Sequence, residues 1–284
     1  MSGVQSPRWE VVLEGYGRLE GPCFDSVGNF YFSDMRPPGK VYRLDPDGRV
    51  TPLLTREHVG GLIPHAAGGL VATGHTVALV QQDGEENTLF GPVGGWGFND
   101  LTTDAAGNVF VGMHGERPTA GPPKISASLW RIEQGGHFSR CYDGIGLTNG
   151  LRVSPEGDRL YHNDTVAKVV WVSDINEEGM PVNRRLHHEL QHGTPDGMAM
   201  DEAGCVWVAA ITAGKLVRIT PDGNEDYTLD APSKWVASVC FGGADGLDLY
   251  IVTFGGEPYD PERSGGVYRT RVSVAGARSY PAQI

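Results

Sequence analysis

The sequence predicts an all-β fold, a six-bladed β-propeller whose four-stranded blades surround a central, metal-containing channel. Three observations carry the propeller: a repeat of about 47 residues, a strand-length run at a fixed place in each repeat, and an abundance of turn residues. The 284 residues include 41 glycines and 19 prolines, about a fifth of the chain against a usual share of about 12%. That density of breakers excludes a long-helix protein. The hydrophobic share of 39% exceeds what a disordered chain carries, so the glycines punctuate packed structure rather than replace it.

Four segments align without gaps over nine positions: a polar residue, Asp or Ser five positions on, and Gly eight positions on. They start at Glu20 (Asp25, Gly28), Asn99 (Asp104, Gly107), Asn149 (Ser154, Gly157) and Asp196 (Asp201, Gly204). After each Gly comes a strand-like run: Phe30-Tyr31-Phe32, Val109-Phe110-Val111, Leu160-Tyr161-His162 and Val206-Trp207-Val208. The Gly closes a hairpin turn. A further strand follows, as in Lys40-Val41-Tyr42-Arg43-Leu44 or Lys215-Leu216-Val217-Arg218-Ile219, and Asp47-Gly48 or Asp222-Gly223 then turns the chain into the last one. Weaker copies near Gly60–Val80 and Ser238–Val252 bring the count to six. Each unit is too small to bury its own faces and is stable only when packed in a ring. Trp9-Glu10-Val11-Val12-Leu13 is expected to add a strand to the last blade, which otherwise ends in Gly266-Val267-Tyr268-Arg269, so that the chain's two ends close the circle. No linker divides the chain, and residues 1–284 read as one domain.

The formal charge of −12 argues against nucleic acid or an anionic membrane surface as partner. A small-molecule substrate and a monomer or small homo-oligomer are expected instead. Met1 to Glu10 show neither a basic nor an apolar signal region, and no run approaches a membrane span. A cytoplasmic location is the expectation. Cys23, Cys141, Cys205 and Cys240 are widely spaced and read as free thiols.

Equivalent positions of successive blades converge on the channel, so the first position of the repeat carries the chemistry. It holds Glu20, Asn99, Asn149 and Asp196, all oxygen donors and none the apolar residue a structural strand start would take. An oxygen-only set suits one hard divalent cation, with Ca²⁺ first and Mn²⁺, Mg²⁺ or Zn²⁺ as alternatives. An Asx residue before Gly also makes ordinary turns. Recurrence in register, and a Glu that no turn prefers, favour a metal site.

The Glu20-Gly21-Pro22 start, Phe98-Asn99-Asp100, Thr148-Asn149-Gly150-Leu151 and Thr194-Pro195-Asp196-Gly197-Met198 resemble the gluconolactonase, regucalcin and senescence-marker-protein family of calcium-dependent lactonase propellers. The resemblance spans almost the whole chain. It implies a divalent metal held by Glu20, Asn149 and Asp196, with Asn99 contacting substrate and Asp196 also acting as general base. The implied reaction is lactone opening, in which the cation polarises the carbonyl and a carboxylate takes a proton from water. Asp164 and Asp100 are expected to support the site from behind. Sugar-lactone members of the family usually carry an Arg two residues before the Asn of the third blade. Here that position is Gly97, which puts a polyol preference in question and keeps a less polar lactone or ester in view. Trp96, His114 and the Pro-rich stretch to Ser128 are expected to cover the channel mouth and touch substrate. Another metal-dependent reaction on a specialised metabolite (isomerisation, cyclisation or C–C hydrolysis) and a non-enzymatic, metal-stabilised binding propeller are the alternatives.

His188-Glu189-Leu190-Gln191-His192 fits the zinc-protease pattern HExxH, but Gly193 and Pro195 leave no helix to carry it. It reads as an outer strand. There is no Gly-x-Ser-x-Gly elbow and no phosphate-cradling loop.

Overall fold

A computed structural model describes residues 7–91, 93–118, 122–255 and 265–284. Strand β1 (Glu10–Tyr16) comes first. The first blade follows as β2 (Leu19–Phe24), β3 (Phe30–Asp34), β4 (Lys40–Leu44) and β5 (Val50–Thr55), and the second as β6 (Leu62–Pro64), β7 (Leu70–Ala72), β8 (Val77–Val80) and β9 (Glu86–Phe90). The third contains β10 (Gly97–Thr103), β11 (Val109–His114), β12 (Ala127–Ile132) and β13 (Phe138–Ile145). The fourth contains β14 (Thr148–Val153), β15 (Arg159–Asp164), β16 (Val169–Ile175) and β17 (Pro181–Glu189). The fifth contains β18 (Thr194–Met200), β19 (Val206–Ile211), β20 (Lys215–Ile219) and β21 (Glu225–Asp230). Finally come β22 (Val236–Gly242), β23 (Asp248–Thr253) and β24 (Gly265–Arg271), and β1 pairs antiparallel with β24 to complete the sixth sheet. The expected six-bladed propeller and its mixed closing blade are both present.

The turn chemistry expected at the fifth and eighth repeat positions is visible atom by atom. Asp25 accepts hydrogen bonds from the amides of Val27 and Asn29, Asp104 from those of Ala106 and Asn108, and Asp201 from those of Ala203 and Cys205. Gly28 and Gly204 follow at φ of 89° and 74°, a left-handed backbone that a Cβ would strain.

The core is divided among the seams. Among the described residues six apolar clusters are found, each shared by two neighbouring blades. Tyr161 and Val170 of the fourth blade meet Met198 and Val206 of the fifth, and Phe32 of the first meets Tyr250 and Val252 of the sixth. A blade alone would leave both faces wet, which is why the ring is the stable unit.

Beyond β24 the chain crosses the face where the inner strands end. Ala277 donates to Met200 at 2.9 Å, Ala282 to Pro64 at 2.8 Å and Gln283 to Gly107 at 2.9 Å, so the tail bonds to the fifth, second and third blades. Between this tail and the inner strands lies a chamber of about 330 Å³, lined among others by Cys23, Asp100, Arg152 and Cys240. No described helix is long and apolar enough to cross a membrane.

Candidate functional site

The opposite end of the channel, where the inner strands begin, carries the recurring polar residues. Five of the six inner strands have a register irregularity there: between Glu20 and Cys23, Phe98 and Leu101, Thr148 and Leu151, Pro195 and Met198, and Val236 and Ser238. A bulge sets an extra residue against its partner strand and re-aims the side chain beside it. The second blade has a regular inner strand and contributes Gly60 and Gly61 ahead of it.

Glu20, Asn149 and Asp196 are all buried. The Asn149 Nδ2 donates to Thr165 Oγ1 at 2.9 Å, and that hydroxyl donates to the Pro195 carbonyl at 2.7 Å. These bonds fix the amide so that its Oδ1 is the acceptor left for the channel side. Asn99 Nδ2 donates both to that Oδ1 and to the Thr148 carbonyl, each at 2.8 Å. Buried Asn163 donates to the Asp196 carbonyl at 2.7 Å and so positions the strand that delivers the carboxylate.

The electrostatics are those of a cation site. Burial pushes the Glu20 carboxyl well above its ordinary value, and the charges of Asp196 and then Asp100 push it further. Asp196 is likewise raised, first by burial and then by Asp100, while Arg18 opposes both shifts. Asp100 is raised to about 7 by burial, with Arg152 pulling the other way. Three acids in one buried channel repel each other, and a divalent cation relieves the repulsion while accepting an all-oxygen donor set. The residues present therefore fit the metal implied by the sequence resemblance.

Other expected site residues are distributed differently. Asp164 accepts from the backbone amides of Gly146, Leu147 and Ala167 at 2.8, 3.2 and 3.1 Å, shaping the turn that leads into Asn149 rather than touching its side chain. Asp34 does the same for Glu20, accepting from Gly17 and Arg18. Asp100 lines the tail-side chamber. His162 lies buried between the hydroxyls of Tyr142 (2.9 Å) and Thr148 (2.7 Å), a strand support. His114 is buried at the end of β11, its pKa pushed down to about 4 by burial, and its carbonyl accepts from the Trp96 amide at 2.8 Å. Of the stretch expected to cover the mouth, residues 119–121 lie outside the described residues. The HExxH segment lies in and after β17, and His188 Nδ1 donates to the Gly223 carbonyl at 3.0 Å.

Several site features had no signal in the repeat. Asn163, on the second strand of its blade, and Thr165, in the turn just after that strand, orient first-strand residues. Arg18, two residues before Glu20, is the cation acting on Glu20 and Asp196, and its guanidinium rests on the Phe254 ring at 4.6 Å. Trp96 packs its indole edge-on against His58 and His75, with ring centroids 5.0 and 4.8 Å away. His58 is pushed below its ordinary pKa by burial and by His75, against the pull of Glu57.

Fold and site together define a six-bladed propeller with buried, oxygen-bearing side chains at one end of its channel. The chain belongs to the SMP-30/Gluconolactonase/LRE-like region family, whose profile matches residues 19–255. It is 32% identical to 6-deoxy-6-sulfogluconolactonase of Pseudomonas putida, over 87% of this chain and 88% of that protein. It is 31% identical to pentonolactonase XacC of Haloferax volcanii, over 84% of this chain and 82% of that one. The solved structure of a calcium-binding protein, regucalcin, from Agrobacterium tumefaciens superposes with a TM-score of 0.86 at 20% identity, covering 98% of each chain. At that identity the structural likeness concerns the fold.

Proposed function

We propose that the protein is a metal-dependent lactonase that opens its substrate ring at the mouth of the channel. The observation that carries this reading is the burial of Glu20, Asn149 and Asp196 at the starts of inner strands, with the charges of Asp196 and Asp100 acting on Glu20. Membership in a family with named lactonases supports it. Glu20, Asn149 and Asp196 would hold one divalent cation, with Ca²⁺ the first candidate for an all-oxygen set. Such a cation supplies Lewis acidity, polarising the lactone carbonyl and stabilising the negative charge that develops on its oxygen. Asp196 takes the proton from the attacking water, a role suited to a carboxyl whose basicity burial has raised. The amide of Asn99 is held by two hydrogen bonds and orients the substrate, and Trp96 and His114 shape the mouth beside it. The product is the open-chain hydroxy acid.

The substrate class is narrowed by Gly97, which offers no guanidinium two residues before Asn99. The wall there is built of the Trp96, His58 and His75 rings, which favours a lactone with a flat or apolar substituent over a plain polyol. The test is proton release at fixed pH by chelator-stripped protein, with aldonolactones and aliphatic lactones, restoring Ca²⁺, Mn²⁺, Mg²⁺ and Zn²⁺ singly. Turnover only with ion restored is expected, together with a loss of about 10²–10⁴-fold in Asp196→Asn. Full turnover in that correctly folded variant overturns the assignment.

A further inference from the structure

At the channel mouth, outside the oxygen cage, Glu57, His58 and His75 each bring one ligand atom within 4.8 Å of the other two. We propose that these three side chains form a second metal site, for a borderline divalent cation of the Zn²⁺ type. The donor set differs in kind from the cage. Two imidazole nitrogens and one carboxylate oxygen select Zn²⁺, Co²⁺ or Cu²⁺ over Ca²⁺, and three protein ligands leave a coordination position open for an incoming oxygen.

Three features of the surroundings favour a built site over a chance encounter of surface groups. The first is the orientation of His75: its Nδ1–H donates to the Trp96 carbonyl at 3.3 Å, which leaves Nε2 as the basic nitrogen. A backbone acceptor behind the ring is the usual partner of a metal-binding histidine. The second is the rigidity of the frame. Glu57 and His58 lie in the connection from β5 to β6, and His75 in the hairpin from β7 to β8. Arg56 ties the two together, donating to the carbonyls of Thr73 (3.0 Å) and Thr76 (2.7 Å) and to Thr76 Oγ1 (2.8 Å), with Glu86 as its ion-pair partner. The third is backbone strain: His58 sits at φ 59°, left-handed without being glycine, a conformation that surrounding structure must enforce. The rings of His58, His75 and Trp96 then close on one another with centroids 4.8 to 5.0 Å apart.

The site also accounts for Gly97. A Cβ there would lie 2.9 Å from the Gly74 carbonyl oxygen and 3.3 Å from His75 Cα. The hairpin that presents His75 occupies the space a side chain at position 97 would need.

The experiment measures ion uptake and stands independently of any turnover. Protein stripped by chelator and saturated with Ca²⁺ is titrated with Zn²⁺ by calorimetry, and in parallel with Co²⁺ by visible absorption. One equivalent of Zn²⁺ is expected to bind without displacing Ca²⁺, at least tenfold more weakly in His75→Ala and in His58→Asn, and unchanged in Asp196→Asn. The Asn variant suits the left-handed backbone at position 58. Absence of Zn²⁺ binding in the parent protein, or binding that both histidine variants retain, overturns the proposal. So does Zn²⁺ uptake that Asp196→Asn abolishes, because the ion is then in the oxygen cage.

Discussion

The Nδ2 of Asn99 donates to the Oδ1 of Asn149 at 2.8 Å, joining the third blade to the fourth. The relay continues from Asn149 Nδ2 to Thr165, and from Thr165 to the Pro195 carbonyl beside Asp196. Three blades are thus linked through the side chains of Asn99, Asn149 and Thr165. Displacing one amide is felt by the next.

Gly60 tests that linkage without altering any polar residue. A Cβ at Gly60 would fall 1.9 Å from Asn99 Oδ1, so Gly60→Ala must push the amide aside. Misplacing a substrate-orienting group by about 1 Å costs up to about 10²-fold. Steady-state kinetics are expected to show that loss, mainly in kcat/KM, with an unchanged far-UV spectrum.

The raised carboxyls predict how calcium and pH act together. A carboxyl with an elevated folded-state pKa stabilises the fold fully below its ordinary value of about 4, and that contribution is lost as pH rises through the folded value. Glu20 and Asp196 lie well above their ordinary values and Asp100 at about 7, so their mutual repulsion develops toward neutral pH and above. The rise in Tm produced by Ca²⁺ should therefore grow from about pH 5 to about pH 8. Buried histidines titrate in both arms of the comparison and cancel. A calcium effect that is flat or falls with pH would contradict the cage.

Gly97→Arg should not confer sugar-lactone preference. Its Cβ meets backbone at Gly74 and His75, which removal of the His75 side chain does not relieve. Thermal melts are expected to show destabilisation of about 1–3 kcal/mol, as overpacking does elsewhere. Activity on aldonolactones should not rise.

At the tail-side end of the fifth blade, Asp201 is fully buried and accepts from Trp207 Nε1 and Arg218 Nε, each at 2.8 Å. Asp201→Ala leaves two buried donors, Trp207 Nε1 and Arg218 Nε, without their acceptor while Asp226 still pairs the guanidinium, at a cost of about 1–3 kcal/mol per donor. Denaturant melts should register the loss, while kcat at a permissive temperature stays near that of the parent.

The parts of the site legible in the sequence were those the repeat multiplies. Glu20, Asn99, Asn149 and Asp196 stand at one place in four blades, and that recurrence separated them from ordinary turn residues. Thr165 and Asn163 occur once, one just after and one on a second strand, and their role depends on which carbonyl the next blade presents. Arg18 acts across space on acids of the first and fifth blades. His58 and His75 are 17 positions apart, and only the pairing of β7 with β8 and the Arg56 clamp bring them together. The fold was more legible because its determinants are local: an Asp or Ser turn in four blades, and a left-handed glycine and a strand-length run in all six.

The pairing of β1 with β24 sets the order in which the molecule can be completed. Glu10 and Arg269 are 259 residues apart and form an ion pair across the last blade. Strand β1 must wait for β24 before it has a partner. Loop-closure entropy grows slowly with length, so the delay is a matter of time more than of free energy. Until that pairing forms, Glu20, Asn149 and Asp196 of the first, fourth and fifth blades have no closed ring to hold them, and the centre proposed for them comes into being only with the final clasp.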